Sequence, residues 1–461
     1  MEAMGGLAFP SLLPADVSSF IPLPPGPHLW GFINIAKREG GQVFLPLTFL
    51  FPSSMICSSS SNSFFTLARV PRRTLANSME ENYFRRTLEK VGQASFLSGN
   101  SIQILKDGIT AFEEVFRAIE EAGRFICLEF YIFRDDETGW ALAEVLARKR
   151  KQGVRVYLVY DHFGSFSNSG RFWTFLKSQG VEFLPFHPPR LGNLNQYLHR
   201  DHRKLVVTDR WVAFTGGLNV GDEYRGYLRN KMAGWRDTGV KVKGPIASAM
   251  LQAFKKSWRE CGGRAIEENW EGQSSGEEQD VSLLPLFSSS RKSMRALRQL
   301  LQFSIHSAKK SAHFTMAYFI PTHKFLRVLL NAARRGLDVK IILPGRTDLH
   351  LVAYVSRTFY KTLLKAGVQI YHYQPRVLHA KTMVFDGCWS IVGSANLDAR
   401  SLNYNYECGV GVLDRSLGEE MERVFVQDLA DSERVAEEDL SRWPLHERAL
   451  GSIFSWFRSY L

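Results

Sequence analysis

Two histidine–lysine pairs stand out in this chain because each is trailed, at one fixed distance, by a glycine turn and an asparagine. The first runs His202-Arg-Lys204-Leu-Val-Val-Thr-Asp209 and continues to Gly216-Gly217-Leu-Asn219. The second runs His379-Ala-Lys381-Thr-Met-Val-Phe-Asp386 and continues to Gly393-Ser394-Ala-Asn396. Both fit H-x-K-x4-D followed by G-G/S-x-N, with 17 residues from His to Asn. One imidazole can attack phosphorus while a second moves the proton of a departing or arriving alcohol. Ammonium and amide donors can hold the oxygens on which charge builds. A nucleophile, a cation and an amide, each supplied twice, suit a phosphodiester held between two histidines.

The elements that carry these residues read as strands and turns. Leu205-Val-Val and Thr382-Met-Val-Phe are strand-forming, and residues two apart in a strand share a face. His202 and Lys204 therefore point the same way, as do His379 and Lys381. The glycines that follow allow a tight turn and close backbone approach to a ligand.

Each motif ends a similar run of elements. In the first, Phe125 to Phe133 is an apolar run typical of a buried strand, Gly139 to Gln152 has a helical pattern, and Gly153 to Tyr160 is a second strand. Leu176 to Pro185 closes a helix on Gly180 and opens a third strand. In the second, Ala312 to Pro321, Lys324 to Arg335, Gly336 to Leu343 and Leu364 to Tyr371 repeat that order. The implied fold class is α/β: two repeats, each with its own mixed sheet flanked by helices. The boundaries read as 79–265 and 282–430, joined by a polar linker over 266–281 and followed by a C-terminal segment over 431–461.

Residues 1–78 differ from the rest. Pro and Ser cluster there without a sustained period, which reads as disorder or as extra coding sequence before a start at Met79. The apolar stretch from Val43 to Cys57 contains Pro46 and Pro52 and is too short to span a bilayer. No secretory h-region lies near the first residue. In the C-terminal segment, Trp443, Leu445, Leu450, Ile453, Phe454, Trp456, Phe457, Tyr460 and Leu461 alternate with Arg442, Arg448 and Arg458. An interfacial amphipathic helix and a helix packed on its own domain both fit this pattern.

At 461 residues, with 45% hydrophobic and 23% charged residues, the chain is globular and can hold two large repeats. Its net charge of +12 points to an anionic partner, either nucleic acid or a membrane surface. Five cysteines without C-x-x-C spacing argue against a disulfide framework or a zinc site and fit a reducing compartment.

The doubled motif resembles the phospholipase D superfamily, and its flanks are similar to short bacterial cardiolipin synthases. The stretches carrying the closer likeness are Phe130-Tyr-Ile-Phe-Arg-Asp-Asp136, Gly216-Gly-Leu-Asn219 with Asp222-Glu-Tyr224, Trp235-Arg-Asp237-Thr238, and Gly393-Ser-Ala-Asn396-Leu-Asp398-Ala-Arg400-Ser401. The likeness covers roughly residues 85 to 430.

The resemblance implies a pseudo-twofold axis with one site between the repeats. His202, Lys204, Asp209, His379, Lys381 and Asp386 form the candidate catalytic set. Within it His202 is expected to attack phosphorus and His379 to handle the alcohol proton, while Asp209 and Asp386 are expected to stabilise the local fold. Asn219, Asn396 and Ser394 are expected at the phosphoryl group beside the lysines. Each histidine should have an orienting acid shortly after its own motif: Asp237 for repeat one and Glu407 for repeat two. No cofactor or metal is implied, because fixed lysines take a metal's place. Three reactions stay open: phosphatidyl transfer converting two phosphatidylglycerols to cardiolipin and glycerol, hydrolysis to phosphatidic acid, and phosphodiester cleavage by a nuclease. The implied partners are an anionic phospholipid and a membrane surface approached peripherally, on the cytoplasmic face. No nucleic acid is expected, because no aromatic–basic stacking stripe is present.

Overall fold

The computed structural model of the chain describes residues 72–189, 198–226, 234–266 and 280–457. The expectations for residues 1–71, for most of the linker, and for Arg458, Tyr460 and Leu461 lie outside the described residues. A helix over Arg72–Gly92 begins ahead of the expected boundary at 79.

The first repeat supplies β1 (Leu97–Leu105), β2 (Phe125–Phe130), β3 (Arg155–Asp161), β4 (Glu182–Phe186), β5 (Lys204–Thr208), β6 (Val212–Gly216) and β7 (Gly239–Lys243). The second supplies β8 (Val281–Ser288), β9 (Ser311–Met316), β10 (Phe319–Ile320), β11 (Asp338–Pro344), β12 (Gln369–Tyr373), β13 (Lys381–Phe385), β14 (Trp389–Gly393), β15 (Leu397–Asp398), β16 (Glu407–Leu413) and β17 (Ser432–Arg434). Read outward from the middle, one half runs β1-β7-β6-β5-β2-β3-β4 and the other β8-β16-β14-β13-β9-β11-β12, capped by β17. The two orders match strand for strand.

One sheet per repeat was the expectation, and the structure corrects it. β1 and β8 pair antiparallel, with Leu97 opposite Leu283, so the half-sheets merge into one sheet of 15 strands. Pairing equivalent edge strands removes two open edges and relates the halves by an approximate twofold. Each repeat also opens with a strand and a helix that the sequence pattern did not name, β1 and the helix Gly108–Glu121 in one and β8 and the helix Arg291–Ser307 in the other.

Within each half, β2-β3-β4 and β9-β11-β12 run parallel. Parallel neighbours need helical crossovers. The first crossover is Glu137–Lys151 in one half and His323–Arg334 in the other, within two residues of the helices expected; the second is Gly170–Ser178 in one half and His350–Arg357 with Tyr360–Lys365 in the other. Asp136 caps Glu137–Lys151 by accepting from Gly139 N at 3.0 Å, and Thr322 caps His323–Arg334 by accepting from Phe325 N at 3.3 Å. Leu128, Leu142, Leu158 and Phe172 fill one repeat's outer core, and Phe314, Leu329, Ile341 and Leu363 the other's. A third apolar cluster joins Leu205, Val240 and Met250 to Val384, Val392 and Val410, so the seam between repeats is itself core.

The C-terminal helix Leu445–Phe454 packs on the helix His350–Arg357. Gly451 abuts the Tyr354 carbonyl, and Glu447 pairs with Arg357.

Candidate active site

β5 and β13 lie antiparallel to the ends of β2 and β9, with Lys204 opposite Phe130 and Lys381 opposite Met316. Both motifs therefore sit at the carboxyl ends of the parallel strands, where α/β sheets place their ligands. Each motif is also strapped to the other repeat. His202 N donates to Tyr406 O at 3.0 Å, and Tyr406 N to Arg200 O at 2.9 Å. His379 N donates to Arg236 O at 2.7 Å, and Arg236 N to Val377 O at 2.8 Å. These short parallel pairings deliver an acid from one repeat to the histidine of the other.

The acid pairing is the reverse of the expectation. His202 Nδ1 donates to Glu407 Oε2 at 3.0 Å, and His379 Nδ1 donates to Asp237 Oδ2 at 2.7 Å. All four side chains are buried. An acid following each motif in sequence lies across the axis in space, because the strand or loop carrying it pairs with the other repeat. With Nδ1 engaged, Nε2 is the nitrogen each ring has free for chemistry.

Lys204 Nζ donates to the His202 carbonyl at 2.7 Å, and Lys381 Nζ likewise donates to the His379 carbonyl. Burial pulls Lys204 down to about 7 and Lys381 down to about 8, against the pull of Glu407 on the first and Asp237 on the second. Burial also lowers His202 to about 4, opposed by Glu407, and lowers His379 with help from Lys381. Glu407 stays below its ordinary value: burial opposes this, and the charge and hydrogen bond of His202 outweigh it. Lys381 acts electrostatically on both His202 and Lys204, and Glu407 acts on Lys381. The two motifs thus share one buried electrostatic neighbourhood.

Asn219 Oδ1 accepts from Ile132 N at 3.1 Å, and Asn396 Oδ1 from Tyr318 N at 3.4 Å. With each oxygen occupied, the NH2 end is the one left to donate. Ser394 departs from its expected place at the phosphoryl group. It is fully buried, donates to Glu407 Oε2, and accepts from Cys408 N at 3.0 Å. It supports the acid. Its counterpart Gly217 has no room for a side chain, since a Cβ there would lie 2.1 Å from Asp237 Oδ1.

Asp209 and Asp386, members of the candidate catalytic set, sit away from the chemistry. Each occupies the first central position of the β-turn that opens a three-residue hairpin loop, and both central residues have positive φ: Asp209 49°, Arg210 66°, Asp386 53° and Gly387 62°. That is the turn which matches the twist of paired strands. Asp209 accepts from the backbone N–H of Gly123, Arg124 and Phe125, and Asp386 from those of Lys309, Lys310 and Ser311. Each ties its hairpin to the start of the neighbouring strand.

Several site residues escape a reading of the motif alone. Tyr131 stands edge-on to His202 with centroids 5.2 Å apart, and Lys204 Nζ lies 5.4 Å from the Tyr131 ring. Around His379 stand Tyr224 at 5.3 Å, Trp235 at 5.4 Å and Tyr318 at 6.2 Å, and Tyr318 donates to Asp348 at 2.7 Å. Tyr131, Tyr224 and Trp235 lie in stretches that carried the resemblance, which is the signal that could have found them. Tyr318 and Asp348 belong to no motif.

Comparison with known proteins agrees with this architecture. Residues 301–429 match the family described as "Cardiolipin synthase, PLD-like domain". The chain is 34% identical over 368 residues to a cardiolipin synthase of Geobacillus kaustophilus, covering 79% of this chain and 73% of that one. It is 32% identical over 360 residues to cardiolipin synthase A of Pseudomonas putida, covering 77% and 73%. Among solved structures it resembles a phosphatidylserine synthase of Haemophilus influenzae, with TM-score 0.61, 15% identity, and coverage of 82% of this chain and all of that one. At that identity the likeness shows fold alone. The identities and coverage shared with the curated relatives, together with the doubled motif, place this chain in the cardiolipin synthase family of the phospholipase D superfamily.

Proposed function

We propose that this protein is a phosphatidyltransferase that converts two phosphatidylglycerols to cardiolipin and glycerol through a phosphohistidine. The observation that carries this reading is the crossed pair of His–carboxylate contacts, which leaves two Nε2 atoms for one phosphorus. His202 Nε2, uncharged across the neutral range, forms the bond to phosphorus as the bond to the headgroup glycerol breaks. His379 gives the departing oxygen its proton. The hydroxyl of a second headgroup then passes its proton to His379 and attacks phosphorus, breaking the P–N bond. Lys204, Lys381, Asn219 and Asn396 hold the phosphoryl oxygens throughout. A bound phosphate favours the protonated form of His379, which suits it to act first as acid. The names of the curated relatives support transfer over hydrolysis.

Among the described residues no helix is long and apolar enough to cross a membrane, and we place the protein peripherally, on the cytoplasmic face. The test is mass spectrometry of products from phosphatidylglycerol in detergent micelles, with His202→Ala and His379→Ala as controls. Cardiolipin plus glycerol, lost in both variants, is expected. Phosphatidic acid alone would replace this reading with hydrolysis.

A further inference from the structure

We infer that the protein meets the membrane through two apolar arms, one on each side of the catalytic pair, formed by Phe163 and Phe166 in the first repeat and by Leu349, Leu445, Ile453 and Trp456 in the second. The inference rests on the phospholipid reading above and adds which surface faces the lipid.

Each arm is tied to a tyrosine against its own repeat's histidine. Phe163 and Phe166 lie on the loop that leaves β3. In that loop Ser165 Oγ donates to the Tyr131 carbonyl at 3.3 Å, and the backbone of Gly164 packs against the same carbonyl. Tyr131 is the ring edge-on to His202. Leu349 lies on the loop that leaves β11, next to Asp348, which accepts from the hydroxyl of Tyr318. Tyr318 is a ring beside His379. β3 and β11 hold equivalent places in the two halves of the sheet.

The C-terminal helix enlarges the second arm. Its inner face holds Glu447, Gly451 and Phe454 against the helix His350–Arg357 and the core. Leu445, Ile453 and Trp456 fall on another face at helical spacing, 78%, 58% and 88% exposed. Phe163 and Phe166 are 57% and 73% exposed. One face of this segment thus packs on its own domain, and the other leaves apolar side chains exposed.

A bilayer is the occupant that fits. Trp and Phe favour the headgroup boundary, and basic neighbours favour anionic lipid. Arg346 and Arg448 stand exposed beside the second arm. The loops after β3 and β11 leave the same ends of the parallel strands that carry the two motifs; a protein seated on both arms would stand where a phospholipid must arrive, whereas a bilayer would deliver it there.

The test uses the full chain and sedimentation with vesicles containing phosphatidylglycerol. The variants are Phe163→Ser/Phe166→Ser, Ile453→Ser/Trp456→Ser, and all four together. Each pair should cut the bound fraction about fivefold or more, and the four together should bring it to background, since apolar burial drives such binding. Activity on micellar phosphatidylglycerol should stay within about twofold of the parent, because these side chains touch no reacting group. Should the fourfold variant prove insoluble, Phe166→Ser and Trp456→Ser singly read the same contrast. Undiminished vesicle binding overturns the inference. So does a dimer, seen by size exclusion in the parent and lost in the variants, alongside unchanged vesicle binding; the patch would then serve a second copy. Loss of vesicle binding in a protein that makes no cardiolipin in micelles would uphold the surface and sink the catalytic reading.

Discussion

Glu407, in the second repeat, accepts from Nδ1 of His202, in the first, at 3.0 Å across 205 residues of chain. Its mirror is the contact of His379 with Asp237. Neither repeat owns a complete histidine–acid unit, so a single repeat cannot assemble either half of the site.

Removing one carboxylate charge while keeping its shape tests that relationship. Glu407→Gln and Asp237→Asn should each lower kcat by about 10²- to 10⁴-fold, the range for loss of an oriented acid–base group. Circular dichroism and melting temperature should stay close to the parent. Unchanged turnover in either variant would remove its acid from the orienting role.

The two buried lysines set a pH dependence. Their folded values, about 7 for Lys204 and about 8 for Lys381, lie below the ordinary 10.5. Bound phosphate favours their charged forms, so binding takes up protons. Affinity for inorganic phosphate, followed by calorimetry, should weaken from pH 7 to pH 9 by up to roughly tenfold per unit for each lysine. A flat profile would place the lysines away from the anion.

The same shifts make the site costly to folding. Between the folded values and 10.5 the unfolded chain binds more protons than the native one, so this contribution to stability rises with pH through that window. Lys381→Met should therefore melt about 2 °C or more above the parent at pH 7 while losing activity. A lower melting temperature would show that the ammonium's contacts outweigh its burial.

The motif aspartates should behave oppositely. Asp386→Ala orphans three backbone donors and should cost about 1–3 kcal/mol in a urea titration, while kcat per folded molecule holds within about threefold. A kcat loss of orders of magnitude at full folding would return Asp386 to the chemistry.

Gly217→Ala should displace the Asp237 carboxylate, for lack of space, and depress turnover about as strongly as Asp237→Asn. Ser394→Gly, at the equivalent place, removes one donor to Glu407 and should cost about tenfold or less. Equal effects would contradict the asymmetry seen between the two turns.

The histidines, lysines and asparagines were legible in the sequence because their spacing repeats, and a period-2 strand puts residues two apart on one face whatever surrounds it. The crossover helices were legible for the same local reason. Local pattern could not say that Glu407 serves His202, or that Ser394 backs the acid. The first depends on a segment of one repeat pairing with the other across 205 residues, and the second on β14 lying beside β16 within one repeat, which brings residues 13 apart into contact. Nor could it say that the two half-sheets merge, because edge pairing of β1 with β8 leaves no periodic mark in either strand. Tyr318 and Asp348 reach His379 only through the bend after β9 and the loop after β11. The sequence by itself determined which groups are present and that each comes twice; tertiary structure decided their partners, because hydrogen bonds between distant segments and burial at their seam exist only once both halves have folded together.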